Sequence, residues 1–262
     1  MDEVQFAGSI VLITGAAQGI GESAARSLAH CGAIVVAVDK KEMELMHLVD
    51  ELRGEGKTAY AFVADVSDSR QVENIVSEVE GKIGPIDGLV NVAGVFSTGT
   101  LTECRDEEWR RLFSINTDGV FYTLRAVGKR MKNRGKGAIV TISSNAASVP
   151  RASMAAYASS KAAATMLTKC LALELAEFGI RCNIISPGST DTAMQRMLWE
   201  DGTGQEKVIA GDPENYRVGI PLKKIAKPSE ITDTILFLLS DKASHITMNN
   251  LCIDGGASLG AQ

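Results

Sequence analysis

Ile10-Val11-Leu12-Ile13-Thr14-Gly15-Ala16-Ala17-Gln18-Gly19-Ile20-Gly21 decides the reading of this chain. Five apolar or β-branched residues run straight into a glycine-rich turn, and residues 20–31 then carry apolar side chains near helical spacing. A strand that passes into a helix through glycines leaves unpaired N–H groups and the positive end of a helix dipole at the turn, a setting that suits a pyrophosphate. The spacing G-x-x-x-G-x-G differs from the G-x-G-x-x-G fingerprint, so the dinucleotide reading draws on the strand–helix context as well as on the turn. Gly15, Gln18, Gly19, Ile20 and Gly21 are the residues this reading places against the cofactor.

The alternation continues along the chain. Short β-branched runs at 10–14, 34–38, 58–63, 88–91, 138–143, 181–186 and 250–253 are separated by helical stretches at 20–31, 41–53, 69–82, 106–134, 154–178 and 228–239. Such a pattern predicts an α/β fold: a single-domain, Rossmann-like, doubly wound parallel sheet of about seven strands with helices on both faces, spanning residues 1–262. One stretch breaks the rhythm. Residues 190–221 hold Asp191, Trp199, Gly202, Gly204, Gly211 and Pro213 without a clean period, and so long an irregular segment reads as a lid over a substrate.

Composition narrows the function. The 262 residues carry a net charge of −5, are 45% hydrophobic and 23% charged, and include 25 glycines, which excludes a disordered chain. The mild acidity argues against nucleic acid as a partner. The basic cluster at 129–136 reads as a solvated helix end closed by Gly135. Five scattered cysteines without a C-x-x-C pair, and three histidines without ligand-spaced neighbours, point to buried reduced thiols, no metal and a cytoplasmic setting. The acidic start Met1-Asp2-Glu3 is unlike a signal peptide. The uncharged stretch 4–21 is too rich in glycine and polar residues for a membrane span, so no membrane partner is expected.

Further polar residues fall where strands end. Asp39, 24 residues after Gly15, is placed to accept the adenosine ribose hydroxyls and to repel a 2′-phosphate, so NAD is the expected cofactor despite Lys40 and Lys41. Asp65 and Val66 follow the third run and reach toward the adenine. Asn91, Ala93 and Gly94 follow the fourth, where a cofactor crosses the sheet. Tyr157 and Lys161 share one helix face at i and i+4, and Ser144 ends the fifth run 13 residues before Tyr157. A serine, a tyrosine and a lysine are thereby aimed into one crevice.

Gly15, Gly19, Gly21, Asp39, Asn91-Val92-Ala93-Gly94, Asn116, Ser144 and Tyr157-x-x-x-Lys161, together and in order, resemble the short-chain dehydrogenase/reductase family over residues 10–260, with Val92 departing from that family's usual second asparagine. The resemblance implies Tyr157 as the catalytic base, Ser144 as the hydrogen-bond partner of the reacting oxygen, and Lys161 as the holder of the nicotinamide ribose. It implies Asn116 as the anchor of a water chain, and it extends the cofactor set to Pro187, Gly188 and Thr190. A lysine ammonium about 4 Å from a phenol at an effective dielectric near 20 contributes about 4 kcal/mol, enough to lower the phenol's pKa by up to about 3.

A narrower resemblance lies in 186–199, 219–222, 244–247 and 149–157, which look like 2,3-dihydro-2,3-dihydroxybenzoate dehydrogenases of catecholate siderophore biosynthesis. It implies a small dihydrodiol carboxylate as substrate and a homotetramer built on 106–134 and 154–178. A 3-oxoacyl carrier-protein reductase or a sugar dehydrogenase of the same family is the rival reading. The substrate carboxylate calls for a local cation on an acidic chain: Arg151 is the first choice and Arg196 the second. Met194, Gln195, Met197 and Trp199 are the expected lid residues.

Overall fold

Alternate residues along each strand face opposite layers, and both layers are apolar. On β1 (Ile10–Thr14) Val11 and Ile13 join one core while Ile10 and Leu12 join the other; on β2 (Ile34–Asp39) Val35 and Ala37 part from Val36 and Val38 in the same way. A strand buried on both faces reads as an unbroken apolar run, which is why these segments lack polar alternation. With β3 (Ala59–Val63), β4 (Ile86–Asn91), β5 (Gly137–Ile142), β6 (Ile180–Pro187) and β7 (Asn250–Ile253) they form a parallel sheet in the order β3-β2-β1-β4-β5-β6-β7. The structure is a computed structural model and describes residues 5–197 and 204–261.

The helices in chain order are α1 (Gly19–His30), α2 (Glu42–Gly54), α3 (Ser69–Lys82), α4 (Asp106–Phe113), α5 (Gly119–Arg134), α6 (Ala155–Leu175), α7 (Ala193–Arg196), α8 (Gly204–Ala210) and α9 (Pro228–Leu239). Leu28 of α1, Leu45 of α2 and Ile231 of α9 fill one core; Val76 of α3, Leu124 of α5 and Leu175 of α6 fill the other. Each such side chain contributes about 1.5–3 kcal/mol through burial. The chain runs from β1 outward through β2 and β3, then returns to β4 on the other side of β1. This reversal opens a crevice at the carboxyl ends of β1 and β4, where Thr14 Oγ1 accepts hydrogen bonds from Val92 N (3.2 Å) and Ala93 N (3.3 Å).

Four sequence expectations change. The run 106–134 is interrupted by a π-helical turn, Ser114–Asp118, that separates α4 from α5. The irregular segment contains α7, α8, a 3₁₀ turn at Pro213–Asn215 and a bridge between Asp212 and Arg217. These pieces are too short to establish a period, which is why the sequence showed none; Trp199 and Gly202 lie outside the described residues. The basic cluster is only partly a solvated helix end: Arg130 pairs with Glu73 and Arg134 with Glu80, both at 2.7 Å, binding α5 to α3. Of the five free cysteines only Cys31 and Cys182 are buried, and Cys170 is exposed. Among the described residues no helix is long and apolar enough to cross a membrane, and no cluster of acidic, histidine or cysteine side chains could hold a metal.

Candidate active site

The glycines of the β1–α1 turn do different jobs. A Cβ on Gly15 (φ +68°) would stand 2.6 Å from Ala93 N, and one on Gly21 would stand 2.0 Å from the Gly15 carbonyl oxygen. These two let the turn lie against the strand ends and let α1 start directly above it. Gly19 lines the cavity instead, and its missing Cβ would sit 3.1 Å from the Thr192 methyl of the segment above. Asp39 closes β2, and its carboxylate accepts hydrogen bonds from Ala17 N and Lys41 N, both at 3.0 Å. Lys41 Nζ donates to Gln18 Oε1 at 2.8 Å, and Lys40 Nζ lies 4.0 Å from Asp65. Asp65 is further engaged by the amide and hydroxyl of Ser67, at 2.9 and 2.7 Å.

A cavity of about 560 Å³ runs from this turn across the sheet edge to the start of α6. Ser144, just beyond β5, Tyr157 in the first turn of α6 and Lys161 one turn later all line it, and all three are buried. The Phe96 ring meets the Tyr157 ring edge-on at a centroid distance of 4.8 Å. Lys161 Nζ donates to the Ile142 carbonyl at 3.0 Å and stands 3.2 Å from where a Gly94 Cβ would be. Glycine at 94 is what lets the ammonium reach the wall.

The electrostatics differ from the sequence expectation. Burial pushes the Tyr157 phenol above its ordinary value, with the Ser144 hydroxyl pulling the other way. Burial also lowers Lys161 to about 8. Desolvation is the leading cause at both groups, opposite to the lowered phenol that the i, i+4 spacing suggested. Asn116 is held within the wall. Its side chain is fully buried, accepts from Val95 N (2.8 Å) and donates to Val95 O (2.9 Å) and Ser160 Oγ (3.0 Å). The amide is thus committed to pinning the β4 loop to the π turn and to α6.

Of the residues expected at the cofactor and substrate, Gly21, Asn91 and Asn116 stand behind the cavity wall, Arg196 and Met197 lie off it, and the other described ones line it. Asn91 accepts from Thr123 Oγ1 at 2.7 Å inside the core. Met194 and Gln195 line the cavity, as does Arg151, whose Nη2 donates to the Ala257 carbonyl at 3.3 Å. The second choice, Arg196, is turned away into a two-pronged pair with Asp191 at 2.6 and 3.0 Å. Phe96, Met154 and Arg217 also line the cavity and were not singled out from the sequence. No spacing marks them; only a survey of every cation in the irregular segment would have found Arg217.

Residues 15–258 match the family described as Enoyl-(Acyl carrier protein) reductase. The chain is 58% identical to a 2,3-dihydro-2,3-dihydroxybenzoate dehydrogenase of Bacillus subtilis, over 97% of each chain. It is 42% identical to a vibriobactin-specific 2,3-dihydro-2,3-dihydroxybenzoate dehydrogenase of Vibrio cholerae, over 99% of each. Among solved structures it superposes on a gluconate 5-dehydrogenase from Burkholderia cenocepacia in complex with NADP and tartrate, with a TM-score of 0.91, 32% identity and 99% coverage of both chains. The chain belongs to the short-chain dehydrogenase/reductase family.

A short-chain dehydrogenase/reductase works with a nicotinamide cofactor, and the residues present fit one. A side chain at Gly19 or Gly94 would intrude on the cavity wall, leaving backbone to line it there. Gln18, Gly19 and Ile20 line the cavity at the start of a helix, and Asp39 lies at one end of the same cavity whose other end holds Tyr157 and Lys161.

Proposed function

We propose that this dehydrogenase oxidises 2,3-dihydro-2,3-dihydroxybenzoate to 2,3-dihydroxybenzoate with NAD, within siderophore biosynthesis. The observation that carries this reading is the full-length identity of 58% to the Bacillus subtilis enzyme, in a chain whose Ser144, Tyr157 and Lys161 converge on one cavity. Tyr157, as the phenolate, takes the proton of the substrate hydroxyl and becomes the neutral phenol, and Ser144 hydrogen-bonds the reacting oxygen. Lys161, near 8, is still largely protonated at pH 7; it offsets the burial of the phenol and holds the nicotinamide ribose. A bound nicotinamide supplies the two-electron acceptor for the carbinol carbon. The ketone left on the ring tautomerises to the catechol, and aromatisation makes the reaction effectively one-way. Asn116 acts by position, keeping the β4 loop and α6 in register.

Gly15, Gln18, Gly19 and Ile20 surround the pyrophosphate, with Gly21 supporting the turn; Asp65 and Val66 flank the adenine; Ala93 and Gly94, backed by Asn91, line the crossing; Pro187, Gly188 and Thr190 close over the nicotinamide end. Asp39 selects NAD, because a 2′-phosphate would meet its carboxylate while Lys40 and Lys41 are held by Asp65 and Gln18. Arg151 faces the substrate carboxylate, with Met194 and Gln195 covering the ring as part of a lid over 190–221. The exposed apolar residues Phe121 on α5 and Met166 and Leu173 on α6 support a homotetramer, and the free thiols support a cytoplasmic setting.

The test is to mix the purified protein with NAD and 2,3-dihydro-2,3-dihydroxybenzoate and follow NADH and the catechol. Turnover of this acid well above that of gluconate and of 3-hydroxyacyl thioesters supports the assignment. Equal turnover of unrelated alcohols, or none of the dihydrodiol, removes it.

A further inference from the structure

Arg217 stands on an unusually fixed piece of backbone. It closes a small hairpin in which Asp212 N donates to Arg217 O and Arg217 N to Asp212 O, both at 2.8 Å. Two glycines clasp that hairpin to the end of α8. A Cβ on Gly211 (φ +96°) would lie 2.5 Å from Gly219 N, and one on Gly219 (φ +80°) would lie 2.5 Å from Ile209 O. Ile220 N then donates to Ile209 O at 2.9 Å. The clasp delivers the guanidinium to the cavity wall, where Nη2 contacts Met154 Sδ at 3.4 Å. Met154 precedes Tyr157 by three residues, so this is the reacting end of the cavity rather than the β1–α1 turn.

Its surroundings do not satisfy it. The Arg217 Nε is buried and has no hydrogen-bond partner among the described residues. Thioether sulfur is a weak acceptor. Arg151 lines the same cavity; burial and then the charge of Arg217 pull its guanidinium below the ordinary value, with Asp254 opposing. Among the described residues neither arginine has a carboxylate within 4.0 Å, Asp212 acting on Arg217 and Asp254 on Arg151 only from farther off, whereas Arg26, Arg130, Arg134 and Arg196 each rest on one. Two partly buried like charges with an orphaned donor are costly unless an anion enters between them. A planar carboxylate matches the guanidinium fork in shape and charge.

Building on the function proposed above, we infer that Arg217 is a specificity-determining residue: with Arg151 it grips the substrate carboxylate and makes the enzyme choose the acid over the neutral diol. The lid thereby contributes a charge to recognition as well as a cover.

The experiment titrates 2,3-dihydroxybenzoate and, separately, catechol into the NAD-bound wild type, Arg217→Ala, Arg217→Gln and Arg217→Lys by calorimetry. The same four proteins are assayed for KM and kcat with the dihydrodiol acid, and their NAD affinity and melting temperature serve as folding checks. The expected result is a loss of about 10- to 100-fold in affinity for the acid in the alanine and glutamine variants, matching hydrogen bonds to a charged group. Catechol and NAD binding stay unchanged, KM rises while kcat is largely kept, and lysine restores part of the loss. The inference is overturned if the wild type binds acid and catechol equally, if the variants keep their preference for the acid, or if catechol binding falls by the same factor. A wild type that leaves the dihydrodiol unoxidised yet prefers the acid through Arg217 would remove the proposed reaction and keep the anion site.

Discussion

The β1–α1 turn and the segment that covers it meet where Thr192 stands over Gly19, yet they are held in place by opposite means. The turn is fixed by backbone against backbone: Gly15 on Ala93, Gly21 on Gly15, and Thr14 receiving the amides of Val92 and Ala93. It belongs to a sheet buried on both faces. The covering segment is fixed at its two ends and by the Gly211–Gly219 clasp, and between them it leaves apolar side chains in solvent, with Met197 70% and Tyr216 91% exposed. A site of this construction keeps the chemistry common to a family on its rigid half and varies the substrate on the other.

Breaking the rigid half has the larger effect. Tyr157→Phe should abolish dihydrodiol turnover, by at least about 10³-fold if the phenol is the base, while NAD binding, followed by fluorescence, stays intact. An active variant would remove Tyr157 from that role. Gly21→Ala places a methyl 2.0 Å from the Gly15 carbonyl oxygen. It should cost about 1–3 kcal/mol in urea unfolding and weaken NAD binding. Gly204→Ala, with nothing within 4 Å of the added carbon, should cost only the strain of its positive φ and leave NAD binding alone. Equal effects of the two substitutions on NAD binding would erase the contrast between the regions. Asp39→Ser should shift the ratio of kcat/KM for NAD over NADP toward NADP by about 10- to 100-fold, the size expected for removing one charged contact.

A subtler effect concerns stability. Lys161 is folded with a pKa of about 8 against an ordinary 10.5, so between those values the unfolded chain binds more protons than the folded one. The folded state is therefore penalised fully below pH 8, by at most about 3 kcal/mol, and the penalty falls as pH climbs toward 10.5. Lys161→Met should raise the melting temperature at pH 7 by a few degrees, about 2–4 °C for each kcal/mol recovered, while ending activity. Its advantage over the wild type should shrink at pH 9.5. A lowered melting temperature at pH 7 would show that the bond to the Ile142 carbonyl outweighs the desolvation.

Most of the fold was legible because its rules are local and periodic. Unbroken apolar runs marked the strands, and the observed ends differ from the expected ones by two residues at most, as at Ile86 of β4. The site was legible where a strand end fixed a position, as with Asp39, Ser144 and Gly94. It was not legible where a residue type carries two meanings. Gly21 and Asn91 have the expected identity, yet they serve packing beneath the wall. Lys161 is placed against the cavity, but its burial, which sets its charge, depends on Ile142 and Gly94 coming from distant strands. Arg217 and Arg196 look alike in sequence, each five residues after an aspartate; Arg196 folds back onto Asp191, whereas Arg217 meets Asp212 through the backbone and lines the cavity.

The π turn at Ser114–Asp118 also bears on how the chain tolerates insertions and deletions. One extra residue in that turn advances the phase of everything after it by about 100° relative to a regular helix. Deleting a single residue there would leave a helix of good propensity that still covers the sheet. Asn116 or α5 would then have to rotate out of register with Val95 and Ser160. A deletion that kept α5 seated on the sheet would turn Asn116 away from its partners, whereas one that kept Asn116 in place would rotate Val120, Leu124 and Val127 out of the core, so the extra residue is what lets one helix serve both the wall of the site and the core.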